Sequence, residues 1–189
     1  MSLKPAAATK PASARFIGLA GFTAILGVLL LLLFLRGFHP SWVVFANDGP
    51  LGALKADHAQ VPEMFTGGWA DLNSYGSRDT GAPPDLTFGF LLLAGPLGFA
   101  KLYALFTLLF LGVSAWFFFR QLGLGPLAAM LGGLATALCS DFFGVSCWGV
   151  GSQALCFGLN YLALAVVVSP QPLRPWIRYP LAGRSESVV

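Results

Sequence analysis

The chain has 189 residues, of which 56% are hydrophobic and only 10% charged, with a formal net charge of +3. Soluble domains carry about 25% charged residues, so this composition and a mean hydropathy of +0.73 argue against a water-soluble fold and for an all-α membrane protein. The basic residues form no stripe interleaved with aromatics, which excludes a nucleic-acid surface. Cys139, Cys147 and Cys156 lie in apolar sequence with no CxxC pair and no nearby His cluster, so neither a zinc site nor a disulfide framework is signalled.

A basic start, residues 1–15 with Lys4, Lys10 and Arg15, precedes the uncharged run 16–35. At 1.5 Å per residue such a run reaches about 30 Å, one hydrocarbon core, and a first transmembrane helix is predicted over 16–36. The run is longer than a signal-peptide core, and Arg36-Gly37-Phe38-His39-Pro40 lacks a small-x-small cleavage pattern, which favours an uncleaved anchor. Residues 37–98 follow as an extracytoplasmic loop. Within it Leu51, Leu54, His58, Val61, Met64, Phe65, Trp69 and Leu72 recur at spacings of three and four. This spacing predicts an amphipathic helix, broken at Gly67-Gly68, whose apolar stripe lies on the membrane surface, packs on other helices, or does both.

The apolar stretch 86–119 is too long for one span and is broken at Gly95-Pro96, predicting a dipping segment over 86–94 and a second span over 99–119. Pro126 suits a first helical turn and opens a third span over 127–140, where Gly132 and Gly133 permit close helix packing. A fourth span is predicted over 149–168, stopped by Ser169-Pro170-Gln171-Pro172 and followed by a basic tail, 169–189. Spans two to four thus occupy 99–168. With the N-terminus inside, Lys4, Lys10, Arg15, Arg120, Arg174, Arg178 and Arg184 are cytoplasmic, against Arg36, Lys55, Arg78 and Lys101 outside. That bias follows the positive-inside rule and predicts a multi-pass protein of the cell inner (plasma) membrane with both termini in the cytoplasm. All acids but Glu186 fall outside.

The outer loop is the part long and polar enough to carry a site. Asp48, in Asn47-Asp48-Gly49-Pro50, follows the first span closely and so sits near the membrane surface. That is the depth at which a general base would meet both a substrate proton and a lipid-borne leaving group, and Asp before Gly-Pro is equally a turn or helix-capping residue. Asp57-His58 reads as an acid-base pair or as structural neighbours facing different ways. Arg36, Lys55 and Arg78 either bind a phosphate or anchor the loop to lipid headgroups. Asp141 reads as a solvated helix-end residue at the outer end of the third span. No HExxH, GxSxG or Walker-type loop occurs. The spans hold few polar residues, Ser114, Thr136, Gln153 and Asn160 among them, which makes a poor transport pathway.

Asn47-Asp48-Gly49, then Trp69-Ala70-Asp71-Leu72-Asn73-Ser74-Tyr75-Gly76, and then Trp116-Phe117-Phe118-Phe119-Arg120-Gln121-Leu122-Gly123-Leu124 with a small-residue helix after it, together resemble a known pattern. Over residues 16–168 the chain resembles the N-terminal part of YfhO-like membrane proteins, which belong with the C-type glycosyltransferases. The resemblance implies a transferase that takes a sugar from a polyprenyl-phosphate donor and passes it to an acceptor outside the cytoplasm. Asp48 matches the acidic residue that acts at the catalytic centre, and a divalent metal is implied as cofactor. Lys55, Asp57, His58, Asp71 and Arg78 are carried as second-rank, substrate-binding candidates; Asp57, Asp71 and Asp79 have no secure counterpart in the family. Family members have many more spans, so the chain is expected to be either a fragment of such a design or a short form working with another membrane subunit. The competing expectation is a small non-enzymatic membrane subunit that docks on a larger complex through Trp42, Trp69, Trp116 and the glycine-rich third helix.

Overall fold

Apolar runs rich in Leu and Ala lose little side-chain freedom in a helix, and the helix satisfies their backbone polar groups internally; in a computed structural model these runs are helical. The structure describes residues 12–44, 46–64, 69–70, 77–78 and 85–169, with side chains over 18–44, 46–60 and 85–169. Helix α1 is Ala12–Leu33, followed by a 3-10 turn at Leu35–Phe38; α2 is Leu51–Met64, α3 Leu86–Gln121, α4 Pro126–Leu138, α5 Ser140–Trp148 and α6 Gly151–Val167. A two-residue antiparallel ladder pairs β1, Trp69–Ala70, with β2, Ser77–Arg78, in the register Trp69 to Arg78. Residues 1–11 of the predicted basic N-terminus, the tail beyond residue 169, the Gly67-Gly68 break and Asp71 lie outside the described residues, and residues 12–15 belong to α1.

Helix α3 is the centre, in contact with α1, α2, α4, α5 and α6. Asp85 caps it, its Oδ1 accepting the Phe88 N–H at 2.8 Å. Gly95 breaks its course with φ 68° and ψ 171°, a conformation open to glycine alone, and Pro96 follows without an N–H to give. The predicted division at Gly95-Pro96 is therefore present, with both pieces helical.

On α1 and just beyond it, Phe22, Leu26, Leu30 and Phe34 recur every fourth residue, so they form one stripe, and all are buried. The stripe packs against Leu108 and Trp116 of α3 and Ala129 and Ala137 of α4, with the Phe22 and Trp116 rings stacked at 6.0 Å. Where α3 crosses α4, glycine faces glycine: a Cβ on Gly133 would stand 2.6 Å from Phe22 Cζ and 2.9 Å from the Gly112 carbonyl oxygen. Helix α6 approaches α3 in the same way, since a Cβ on Gly158 would lie 2.6 Å from Phe110 Cδ1. The α2 stripe packs on a neighbouring helix: Leu54 is buried with Leu91, Phe99 and Tyr103 of α3.

One prediction is corrected here. The third apolar helix does not end at Ser140; after an extended residue at Cys139, φ −62° and ψ 146°, it resumes as α5, bent by 42° from α4. Asp141 is consequently an exposed residue of the first turn of α5 rather than the end of a span. By length and composition α3 can cross a membrane, and α4 with α5 passes as a second crossing; Gly18–Leu33 and Gly151–Val167 are apolar but shorter. Among the described residues, then, one or two helices meet the requirements of a span.

Because the glycine crossing has no room to relax, Gly133→Val should destabilise the protein by about 1–3 kcal/mol, the usual penalty of overpacking, in denaturant titrations of the detergent-solubilised chain. Gly27, with nothing within 4 Å of its would-be Cβ, is the control: Gly27→Ala should leave stability unchanged or raise it by up to about 1 kcal/mol.

Candidate functional site

At one end of the bundle, where α1 stops, α2 docks, α3 starts and α5 turns into α6, side chains line a partly open cavity of about 190 Å³. At about 30 Å³ per water, that is space for a handful of waters or one small ring. Phe34, Leu91 and Phe99 give it apolar walls, and Asp48, Asp57, Thr87, Lys101, Tyr103 and Ser146 bring polar groups to it.

The segment 46–49 reaches the cavity because it is fastened to the joint between α5 and α6. The Asp48 N–H donates to the Trp148 carbonyl at 2.9 Å. Gly149 caps α5 in the left-handed conformation, φ 104°, and a Cβ there would stand 3.0 Å from the Gly49 nitrogen and 3.3 Å from the Asp48 carbonyl carbon. Glycine is thus required twice over, for its φ and for the close approach. The Asp48 side chain itself is exposed, and its Oδ1 accepts from Asn47 Nδ2 at 3.2 Å.

Docking of Leu54 on α3 turns the residue one helical turn later, Asp57, toward the same cavity. Burial raises the Asp57 pKa above its ordinary value, favouring the protonated carboxyl. Lys55 is exposed and His58 half-buried, and neither lines the cavity. From α3, the Tyr103 hydroxyl and Thr87 Oγ1 share a hydrogen bond of 2.7 Å, and the Phe99 and Tyr103 rings stack at 4.2 Å. Lys101 Nζ donates to the His39 carbonyl at 2.8 Å, tying the stretch after α1 to α3. Ser146, on α5, is buried, and its Oγ has no hydrogen-bond partner.

Of the candidates read from the sequence, the structure therefore brings Asp48 and Asp57 to one cavity and leaves Lys55 and His58 off it. Arg36 is exposed in the 3-10 turn, while Asp71 and the Arg78 side chain lie outside the described residues. Lys101, the Thr87–Tyr103 pair and Ser146 were not among the sequence candidates. Lys101 carried a usable signal, being the one charged residue in the apolar stretch 86–119, where an ionisable group is costly and marks a function or a structural tie. Among the described residues no three His, Cys, Asp or Glu side chains converge, so those residues do not fit the divalent metal that the resemblance implies.

Asp48 and Asp57 thus line one cavity in unlike surroundings, the first exposed and the second half-buried. No protein-family model matches the chain, and no curated protein or solved structure matches it.

Asp57 also makes a pH prediction. Its folded-state pKa lies above the ordinary 3.8, so the folded protein holds this proton more tightly than the unfolded chain. That contribution to stability is complete below 3.8 and is lost as pH rises through the raised value. Asp57→Asn, which keeps the shape and removes the charge, should raise the thermal midpoint at neutral pH and give no such gain at pH 3. An equal shift at both pH values would show that burial of the charge is not the cause.

Proposed function

We propose that the chain is a four-span membrane module of the C-type glycosyltransferase kind, acting on a sugar carried by a polyprenyl phosphate, with Asp48 as general base. The spans are α1, α3, α4 with α5, and α6. The last, with 17 residues, is at the lower limit of about 17 for a membrane-crossing helix. The outward faces suit lipid: Leu93 of α3 is 89% exposed, Leu127 of α4 70% and Val167 of α6 73%. The far end of the bundle has a different character, with Arg120 Nη1 donating to the Leu124 carbonyl at 2.6 Å across the turn from α3 to α4.

One observation carries the reading: Asp48 is fastened by its own backbone at the lip of a ring-sized cavity. The cavity lies among the helix ends that the charge pattern assigns to the outer side, namely the end of α1, the start of α3 and the α5–α6 joint. In the proposed reaction the acceptor hydroxyl oxygen bonds to the anomeric carbon as the bond from that carbon to the phosphate oxygen breaks. The hydroxyl proton passes to the Asp48 carboxylate, and polyprenyl phosphate leaves as an anion that needs no proton. The apolar walls at Phe34 and Phe99 limit water at the reacting centre, which a transfer in competition with hydrolysis requires.

The test is an in-membrane transfer assay with a polyprenyl-phosphate sugar donor. Asp48→Asn should lower the rate by about 10²–10⁴-fold, the usual contribution of a general base, with the protein still inserted and folded. Equal activity in the two proteins would remove Asp48 from the chemistry and leave the small non-enzymatic subunit as the better reading.

A further inference from the structure

Helix α6 carries amide side chains where a helix facing lipid would carry hydrocarbon. Ala154, Leu155, Gly158, Ala165 and Val166 are buried on its inner side. On the opposite side Gln153, Cys156 and Asn160 are exposed, in line with Leu164 and Val167. At 3.6 residues per turn Gln153, Asn160 and Leu164 fall within about 20° of one line along the helix. Residues 153, 160 and 167 are seven apart, with Cys156 three after the first, which are the a and d positions of a helix-pairing seam.

Among the described residues neither the Gln153 nor the Asn160 side chain has a hydrogen-bond partner. The hydroxyl of Thr136, by contrast, is satisfied within its own helix, Oγ1 donating to the Gly132 carbonyl at 2.8 Å. Asn160 stands within one residue of the middle of α6, where hydrocarbon would offer its amide neither donor nor acceptor.

We propose that this face is the interface between two copies of the chain, α6 packed in parallel against α6 of a second copy. The inference rests on α6 being a membrane span. A second copy is the occupant that the chemistry selects. An amide bears a donor and an acceptor on one side chain, so across a two-fold axis Asn160 satisfies Asn160 and Gln153 satisfies Gln153. Copies inserted in one orientation can pair only in parallel in the membrane, and in a parallel seam equal positions face each other. A purely apolar partner helix would leave both amides unpaired. Cys156, between them on the seam, then faces its own counterpart.

The experiment uses the full chain in its native membrane, carrying Cys139→Ser and Cys147→Ser so that Cys156 is the remaining thiol, treated with a copper-phenanthroline oxidant that takes two thiols to a disulfide. The expected product is a disulfide-linked dimer, most of it lost when Gln153→Leu and Asn160→Leu are added. It should also be lost when the thiol is moved by Cys156→Ser with Leu159→Cys, about 120° round the helix from Gln153. Absence of the dimer, an adduct with a protein of another mass, or equal yield from the Leu159→Cys chain would overturn the proposal. A water-soluble, membrane-impermeant maleimide separates the two ways of failing. Ready labelling of Cys156 would remove α6 from the membrane and the four-span reading with it, whereas protection without cross-linking would overturn the dimer alone.

Discussion

The contact of Gly112 with Gly133 is the constraint on which the rest of the bundle depends. It brings the backbones of α3 and α4 close enough that a Cβ on Gly112 would stand 2.5 Å from Leu26 Cδ2 and 3.2 Å from the Gly133 carbonyl oxygen. The α1 stripe of Phe22, Leu26 and Leu30 seats on this crossing and contacts both helices. Such an arrangement suits a lipid environment, where burying hydrocarbon gains little and helices associate through close van der Waals contact between small residues. The buried Trp116, stacked on Phe22, fills the space beside the crossing.

From that crossing the helices run toward the cavity, and its polar groups arrive by separate local devices. The Gly95-Pro96 break in α3 leaves its first piece to carry Thr87 to the Tyr103 hydroxyl. Lys101 straps the chain after α1 to α3 through the His39 carbonyl. The left-handed Gly149 lets 46–49 lie across the α5–α6 joint, and Leu54 anchors α2 so that Asp57 faces inward. None of these devices covers the Asp48 side chain, which stays exposed.

Much of this was legible in the sequence, for identifiable reasons. Uncharged runs long enough to form helices marked the positions of α1, α3, α4 and α6. Gly95-Pro96 announced its break because neither residue sustains a helix there, and Gly132 and Gly133 announced close packing. The bend at Cys139 was not legible, since that residue is neither glycine nor proline and its extended backbone comes from α5 turning toward α3 and α6. Asp48 and Asp57 stood out as acids of the loop, but their shared cavity depends on contacts with residues 148–149 and with α3 that no local pattern encodes. Periodicity put His58 on the apolar stripe with Leu54, yet its neighbour Asp57 is the one that lines the cavity. Lys101 was counted only as an outer charge, because its bond to the His39 carbonyl spans 62 residues of chain.

The α5–α6 joint holds Asp48 at the cavity by a backbone hydrogen bond while its side chain stays exposed. Amide hydrogen exchange of the folded protein, resolved residue by residue, measures that directly. The account predicts that the Asp48 amide, bonded to the Trp148 carbonyl at 2.9 Å, exchanges far more slowly than the neighbouring amide of Asn47, although both side chains are exposed. Equal, solvent-like exchange at the two positions would mean that the loop is not fastened to the joint, and would contradict the account.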